Sequence, residues 1–354
     1  MKILVFSDVH AGLMNPEQTY HILKVNIYDR VKERNDIDVL ICDGDFFHTK
    51  LSLNSKSATL AIFFIQSLAQ LCYEKNIMFR MIKGTKSHDF NQLSAFKSLE
   101  TDNPTFKIIE TFSNEIINGI KFTYIPEEYM ENAEDYYKPL YDEGSDIIFG
   151  HGMFDFQSFG LEQESERPIS NAPVFDSKRF QTLSKYGTYF GHIHKPCNNG
   201  RVHYVGSLYT NNFGEICPKS MMEICLDGER ENIIRIPTID DFEYQDLKVS
   251  TLLQAYNNDI EKVSKFIENA CTSKFVRVVI DTDVDPTITN IFKKISLDQD
   301  NVSVKFKKKE IENRVPDEYN FLLSNDIDSD TKIIKFIKLK YGQDIPLELI
   351  NSLK

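Results

Sequence analysis

Histidine and aspartate residues recur in this sequence directly after short apolar runs. Imidazole and carboxylate groups are the ligand set that suits Mn²⁺, Fe²⁺ or Zn²⁺. Six of the eight histidines lie in such motifs, whereas chance placement would scatter them. The motifs are FSDVH with Asp8 and His10, CDGDFFH with Asp45 and His48, KGTKSHD with His88, FGHG with His151, and FGHIH with His192 and His194.

Each motif is weak alone, and their combination carries the prediction. A lone D-x-H or a Gly-Asp pair is ordinary turn chemistry. G-H-x-H is stronger, because alternate residues of a strand point the same way and two imidazoles can face one site. We therefore predict one metal site assembled from five segments. His21, in a helical pattern, and His203, in a strand pattern, are interpreted as structural residues.

The elements that would position these motifs alternate between strands and helices. Strands are predicted at residues 2–7, 38–43 and 77–84, and helices at 16–34 and 55–75. This alternation favours an α/β layered fold, in which ligands bind at the carboxyl ends of strands. Further strand patterns are FKIIET, IKFTYIP, DIIFGHG, TYFGHIH, RVHYVGS and MMEICLD.

The pattern changes around residues 237–250, so the chain of 354 residues is divided into three parts. Residues 1–240 form the large domain that carries the motifs. Residues 241–315 contain helix, strand, helix and strand patterns, which predict a small α+β domain. Residues 316–354 contain short helical patterns that either pack on the second domain or dock a partner.

The net charge of −12 argues against a free-standing nucleic-acid-binding protein, since such proteins are usually basic. The acidic excess lies in residues 1–247, because residues 248–354 carry equal numbers of acidic and basic side chains. We interpret the acidic stretch EEYMENAEDYY, residues 127–137, as solvated surface. Bound cations could offset other carboxylates.

The six cysteines are scattered, without a C-x-x-C pair, and the first residues do not resemble a signal peptide. No apolar run approaches the length needed to span a bilayer. We therefore expect reduced thiols, a cytoplasmic location (the host cytoplasm for a phage protein) and no membrane partner.

The order D-x-H, G-D, H-D, G-H and G-H-x-H resembles the calcineurin-like metallophosphoesterase superfamily over roughly residues 1–240. The resemblance implies a sandwich of two β-sheets flanked by helices. GDFFHTK, and GHIHKP followed by YVGSLYTNNFGE, are similar to the SbcD-type DNA repair and recombination nuclease subunits, among them phage recombination endonuclease subunits. That family carries a capping, DNA-binding domain after the first domain, here residues 241–315.

The resemblance also implies two divalent metal ions, Mn²⁺ first, with Mg²⁺, Fe²⁺ or Zn²⁺ as alternatives. The implied ligands are Asp8, His10 and His194 for one ion, His151 and His192 for the other, and Asp45 between them. Two such ions can clamp a phosphodiester and activate a water. In the same resemblance His88 is an acid or transition-state stabiliser, with Asp89 orienting its imidazole. His48 either positions the phosphate or forms a hydrogen bond with a residue that binds the metal.

The loop MIKGTKSHDF, residues 81–90, departs from the family. The family reads G-N-H-D there, with the Asn as a ligand of the second metal. Here no Asn lies between Gly84 and His88, and the loop is two residues longer. Ser87 is the alignable substitute ligand, with Thr85 as another candidate. Because the other ligand positions are intact, we favour a variant active loop over a decayed site.

These features predict a metal-dependent DNA phosphodiesterase, an exo- or endonuclease that acts with an SbcC-like SMC-type ATPase in recombination, repair or end processing. A homodimer is a further expectation from the family. The basic run KFKKKEIENR could contact DNA, and residues 317–354 could dock the ATPase. The alternatives are a phosphomonoesterase or small-molecule phosphodiesterase, and a non-catalytic scaffold subunit.

Overall fold

The structure is a computed structural model of the chain. It describes residues 1–156, 172–215, 217–240, 242, 244–270, 275–282, 284, 286–298, 302–306 and 329–341.

Strands follow one another along the chain in short runs. They are β1 (Lys2–Phe6), β2 (Val39–Asp43), β3 (Met78–Ile82), β4 (Phe106–Ile109), β5 (Ser113–Ile117), β6 (Ile120–Ile125), β7 (Ile147–His151), β8 (Met153–Phe154), β9 (Val174–Phe175), β10 (Thr188–Gly191), β11 (Cys197–Asn199), β12 (Val202–Tyr204), β13 (Ser220–Asp227), β14 (Arg230–Pro237), β15 (Tyr244–Lys248), β16 (Phe275–Ile280) and β17 (Val302–Phe306).

Helices connect most of these strands. They are α1 (Pro16–Leu23), α2 (Asp29–Glu33), α3 (Lys56–Glu74), α4 (Lys97–Asp102), α5 (Ala133–Tyr136), α6 (Lys138–Glu143), α7 (Ser177–Leu183), α8 (Val249–Ala255), α9 (Ile260–Ala270), α10 (Pro286–Asp298) and α11 (Ser329–Tyr341). A π-helical segment, Lys24–Tyr28, joins α1 to α2, so the single helix predicted over 16–34 is continuous but changes its winding. A 3₁₀ turn, Gln92–Phe96, precedes α4.

Two six-stranded sheets form the large domain. The first has the order β14-β13-β1-β2-β3-β4, and the second has the order β11-β12-β10-β7-β6-β5. In the first sheet β1 to β4 are parallel, and in the second β6, β7, β10 and β12 are parallel. The carboxyl ends of the parallel strands within each sheet therefore meet at one edge, as the sequence predicts.

Alternation of apolar side chains explains the layers. Ile3 and Val5 of β1 pack with Phe149 of β7 in a cluster shared by both sheets. Leu4 and Phe6 point to the other face, where they join a cluster with residues of α1 and α3. Because both faces are covered, these strands are apolar throughout. The arrangement is a mixed α/β sandwich flanked by helices, which confirms the predicted metallophosphoesterase fold.

A smaller parallel sheet, β15-β16-β17, lies after the large domain. Its side chains form a separate apolar cluster with residues of α8, α9 and α10. Phe242 and Tyr244 connect it to the large domain, since both rings contact Phe275 and Tyr244 donates a hydrogen bond to the carbonyl of Thr210 at 3.0 Å. The domain boundaries at residues 240 and 315 stay a prediction.

In the C-terminal part, α11 coincides with the predicted helical pattern DTKIIKFIKLKYG. The second pattern, PLELINSLK, and the basic run beyond residue 306 lie outside the described residues. Among the described helices, none is long and apolar enough to cross a membrane.

Candidate metal centre

The predicted motifs lie at the end of β7 and in the loops that follow β1, β2, β3 and β10, and the structure brings these segments together. The backbone of the β1 loop pairs with that of the β2 loop, because the amides of Asp8 and His10 donate to the carbonyls of Gly44 and Asp45 at 3.1 and 3.0 Å. Asp8, His10, Asp45, His151, His192 and His194 are all buried. The carboxyl ends of strands from both sheets therefore hold a buried polar cluster.

One group of ligand atoms comes from Asp8, His10 and His194, and all of these atoms lie within 4.8 Å of one another. The Nε2 atoms of His10 and His194 are 3.0 Å apart. His194 Nε2 is 3.9 Å from Asp8 Oδ1. Two imidazole nitrogens and a carboxylate oxygen that converge in this way, out of water, are arranged as a cation would require.

Glu215 fixes the ring of His194. Nδ1 of His194 donates to Glu215 Oε1 at 2.6 Å, so Nε2 carries the lone pair that faces His10. The other oxygen of Glu215 accepts from the buried Lys219 ammonium at 2.6 Å. Burial would raise the pKa of Glu215, but the hydrogen bond and charge of His194 and the charge of Lys219 lower it. A carboxylate behind a histidine ligand is a common device at metal sites.

A second group comes from Asp45, His151 and His192, whose ligand atoms also lie within 4.8 Å of one another. His151 Nδ1 donates to the backbone carbonyl of Asp43 at 2.8 Å, which turns Nε2 toward Asp45 Oδ2 at 3.1 Å. Nε2 of His192 is buried without a hydrogen-bond partner in the described structure. The polar surroundings of that ring lie on its Nδ1 side.

Charge in the two groups is arranged for cations. Burial raises the pKa of Asp8 and lowers that of His10 well below its ordinary value. Burial would also raise the pKa of Asp45, but the charge and hydrogen bond of His151 lower it. Conversely, Asp45 raises the pKa of His151 despite its burial. These residues fit a pair of divalent ions, because cations would replace protons as the partners of the buried carboxylates.

The backbone is strained where these side chains are displayed. Asp8, His10, Asp45 and His192 have φ angles of 51°, 50°, 50° and 90°, in the left-handed region that side chains other than glycine rarely adopt. Such strain is typical of functional sites, where the surrounding structure enforces it.

His48 and His88 lie against His10. The ring centroids of His10 and His88 are 4.7 Å apart, and those of His10 and His48 are 5.4 Å apart. Nδ1 of His48 is 3.5 Å from Nδ1 of His10. Ligand atoms of these three histidines also lie within 4.8 Å of one another, so the trio is itself a possible metal group.

Asp89 differs from its expected role. Its two carboxylate oxygens accept hydrogen bonds from the backbone amides of Phe47 at 3.0 Å and Gly84 at 2.8 Å. The group that orients His88 is instead the backbone carbonyl of His48, which accepts from His88 Nδ1. Burial and then the charge of Asp45 raise the pKa of Asp89 to about 7. Asp89 therefore ties the β3 loop to the β2 loop.

The structure favours Thr85 over Ser87 as the residue in the place of the missing Asn. Ser87 is exposed, whereas Thr85 is buried. The Thr85 amide donates to Asp45 Oδ1 at 2.5 Å, and its hydroxyl donates to Asp45 Oδ2 at 3.1 Å. The same hydroxyl is 3.4 Å from His151 Nε2 and 3.5 Å from His192 Nδ1. The extra loop residues thus follow Thr85 rather than precede it.

Two functional candidates escaped the sequence prediction. Glu127 belongs to the acidic stretch that we interpret as solvated surface, but it is buried, with Oε2 3.4 Å from His192 Nδ1. Glu127 could have been recognised in the sequence by its position two residues after the strand β6, because the histidine motifs also lie at strand ends. Glu215 lies in the quoted segment YVGSLYTNNFGE, and no role was given to it.

The two histidines interpreted as structural lie apart from these groups. His21 is exposed on α1. His203 of β12 stacks on Tyr189, with ring centroids 5.2 Å apart and ring planes 15° apart.

Two solved structures are similar to parts of this chain, at low sequence identity. TT1561 of Thermus thermophilus is 14% identical, over 66% of this chain and 98% of that chain, with a TM-score of 0.39. AQ665 of Aquifex aeolicus, a protein of unknown function, is 13% identical, over 46% of this chain and 81% of that chain, with a TM-score of 0.25. At these TM-scores neither likeness supports a conclusion about this chain.

No curated protein matches the sequence. The family model of the calcineurin-like phosphoesterases matches residues 1–204. The matched residues contain all of the strand-end motifs from Asp8 to His194. The match extends over more than half of the chain, and on this basis the chain belongs to the calcineurin-like phosphoesterase family.

Proposed function

We propose that this phosphoesterase is a DNA nuclease, the catalytic subunit of a complex with an SbcC-like SMC-type ATPase. The observation that carries the proposal is the convergence of two Asp/His groups beside His48 and His88, at the carboxyl ends of strands from both sheets. The family accounts for metal-dependent phosphoester hydrolysis. The choice of DNA as substrate rests on the segments GDFFHTK and GHIHKP, which carry His48, His192 and His194.

Asp8, His10 and His194 would hold one divalent ion, and Asp45, His151 and His192 the other. Bound ions would neutralise phosphate charge and activate a water, and Mn²⁺ suits this mixed set of nitrogen and oxygen ligands.

His88 is the proton carrier in this proposal. Its Nδ1–H donates to the carbonyl of His48, so a second proton can be carried only on Nε2, and the protonated ring would give that proton to the departing sugar oxygen and return to the neutral form. His48 has a second task at its side chain, because its Nδ1 can accept the Nδ1–H of His10. That contact would keep the lone pair of His10 on Nε2, next to His194.

An ATPase partner would help this acidic chain to bind DNA. A net charge of −12 repels the DNA backbone at distances beyond the immediate neighbourhood of the metal ions. A partner with basic DNA-binding surface would bring the phosphodiester to the site. Residues 316–354, which include α11, are the proposed docking segment.

The test compares linear duplex DNA with a nitrophenyl phosphomonoester, both with Mn²⁺, with and without the co-expressed ATPase. We expect DNA cleavage that increases with the ATPase and is lost in Asp45→Ala. Preference for the monoester would favour a phosphomonoesterase. ATPase binding without bound metal, together with a biological effect that survives Asp45→Ala, would favour a scaffold.

A further inference from the structure

The carboxylate of Glu127 lies beside the second ligand group, which consists of Asp45, His151 and His192. Oε2 of Glu127 accepts a hydrogen bond from the Thr85 hydroxyl at 3.1 Å and lies 3.4 Å from His192 Nδ1. The same hydroxyl donates toward Asp45 Oδ2 at 3.1 Å and lies 3.4 Å from His151 Nε2. The hydroxyl oxygen of Thr85 therefore lies within 3.5 Å of side-chain atoms of four residues: Asp45, Glu127, His151 and His192.

We infer that Glu127 is a ligand of the ion held by Asp45, His151 and His192, and that it supplies the oxygen which the amide of the family motif would otherwise supply. The inference rests on the metal-dependent function proposed above. It differs from the family pattern both in residue type and in the strand from which the ligand comes, since Glu127 follows β6 rather than β3.

Thr85 is poorly suited to be the missing ligand itself. Its hydroxyl has one proton and has two carboxylate oxygens, from Asp45 and Glu127, as acceptors at 3.1 Å. A neutral hydroxyl is also a weaker ligand for a divalent cation than a carboxylate. The contacts of Thr85 are those of a residue that orients the two carboxylates.

Glu127 is held so that Oε2 is directed to the site. Its other oxygen, Oε1, accepts from the Tyr129 hydroxyl at 2.8 Å. Its backbone amide donates to the carbonyl of Lys83 at 3.3 Å, which links this segment to the end of β3. A carboxylate fixed on both sides loses little conformational freedom when it binds an ion, which favours binding.

The electrostatics of Glu127 fit a charged ligand. Burial would raise the pKa of Glu127, but the hydrogen bond and charge of His192, and the charge of His151, lower it. A carboxylate that coordinates a divalent cation does so in its deprotonated form. With Asp45 it brings two negative charges to one ion, one more than a motif with an amide would bring.

The test uses Glu127→Gln, with Glu128→Gln as its matched control. Glu128 is the next residue and also a glutamate, but its carboxylate accepts from the Phe112 amide at 2.8 Å and from the Tyr136 hydroxyl. Bound Mn²⁺ is counted by elemental analysis, and its affinity is measured by calorimetric titration of the metal-free protein. Melting temperatures of the metal-free proteins report folding.

We expect two Mn²⁺ ions in the unmodified protein and in Glu128→Gln. In Glu127→Gln the first ion should bind as before, and the second at least about tenfold more weakly, as for loss of a direct or supporting metal contact. Metal-free Glu127→Gln should remain folded and melt in one cooperative transition, because Gln keeps the shape of the side chain. An unchanged second ion, or equal weakening of both ions, would overturn the inference.

Tyr129→Phe provides a second variant that leaves Glu127 in place. Removal of the hydroxyl that holds Oε1 should weaken the second ion and leave the first unchanged, and an equal effect on both ions would count against the inference. Failure of the function proposed above would look different. An unmodified protein without bound ions would refute metal-dependent hydrolysis, and one with two ions but without DNA cleavage would refute only the nuclease assignment.

Discussion

The backbone carbonyl of His48 accepts a hydrogen bond from Nδ1 of His88. A carbonyl can only accept, so this contact fixes the tautomer of the neutral His88 ring and leaves Nε2 to exchange a proton. The ring lies edge to face with that of His10, at 4.7 Å between centroids. His88 is thus placed next to His10, a predicted metal ligand, but is oriented by the backbone of the neighbouring loop.

From this placement we predict that His88→Ala keeps both metal ions and loses phosphodiester cleavage. Positioned acid–base groups typically contribute about 10²–10⁴-fold to rate, and a loss in that range is expected. Metal content is measured by elemental analysis and cleavage on linear duplex DNA with Mn²⁺. Exposed His21→Ala is the control and should behave as the unmodified protein.

Loss of a metal ion from His88→Ala would assign His88 to the ligands instead. The close grouping of His10, His48 and His88 makes this outcome a real alternative. In that case the proton for the leaving oxygen would have to come from another group.

Glu215→Gln is predicted to weaken the first ion and to lower stability. The carboxylate orients His194, and loss of such a partner typically lowers metal affinity by about 10–100-fold. It also neutralises the buried Lys219 ammonium, so its removal leaves an uncompensated charge. Calorimetric titration with Mn²⁺ and the melting temperature of the metal-free protein measure the two effects.

The double variant Glu215→Gln, Lys219→Met separates these effects. With the unpaired ammonium removed, the melting temperature should recover, whereas the affinity for the first ion should stay low. If affinity recovers together with stability, Glu215 acts through folding alone and not through His194.

The parts of this site that were predictable from sequence are those carried by local motifs. Asp8 and His10 follow a short apolar run that is typical of a buried strand. This local pattern alone places them at a strand end, without knowledge of any other segment. His192 and His194 also lie at a predicted strand end, but they follow β10 and join different ligand groups, which their spacing alone does not show. The α/β layered fold is predictable from the alternation of strand and helix patterns, whereas the two-sheet sandwich is implied by the resemblance to the family.

The missed parts depend on contacts between distant segments. Glu127 reaches the site only because β6 pairs with β7 in the second sheet. In the sequence it lies within an acidic run, and such a run is normally interpreted as exposed surface. Sequence separation from His88 does not show whether Thr85 or Ser87 takes the place of the missing Asn. In the structure the amides of His88 and Asp89 both donate to the Thr85 carbonyl, so Thr85 opens a turn and Ser87 lies on its exposed part.

Gly84→Ala is predicted to disrupt the second ligand group. A Cβ atom at Gly84 would overlap the backbone nitrogen and Oδ1 of Asp45, and neither is the free end of a flexible side chain. The strained Asp45 backbone would have to move, which should weaken binding of the second ion and lower the melting temperature. Gly119→Ala is the control for loss of glycine, because a Cβ atom there meets no neighbour, although its φ of 81° adds backbone strain.

For Gly84→Ala the measurements are the Mn²⁺ stoichiometry and the melting temperature in chelator. Gly119→Ala should retain two ions and lose stability only through its backbone strain. Retention of two ions with unchanged affinity in Gly84→Ala would mean that the β2 and β3 loops can separate without cost to the site.

Burial of His203 predicts an acid-sensitive stability that is independent of the metal centre. Burial, and then the charge of Arg235, lower the pKa of His203 from 6.5 to about 4. Between these values the unfolded chain binds the proton and the folded chain does not. The contribution of His203 is therefore complete above pH 6.5 and is lost as the pH falls toward 4.

His203→Phe removes this titration and can retain the stacking on Tyr189. We expect the melting temperature of the unmodified protein, measured in chelator, to fall more steeply than that of the variant between pH 6.5 and 4. Below pH 4 the two curves should become parallel again, because His203 is then protonated in both the folded and the unfolded chain. Parallel curves over the whole range would show that the folded protein accommodates a protonated His203, for example by exposing β12.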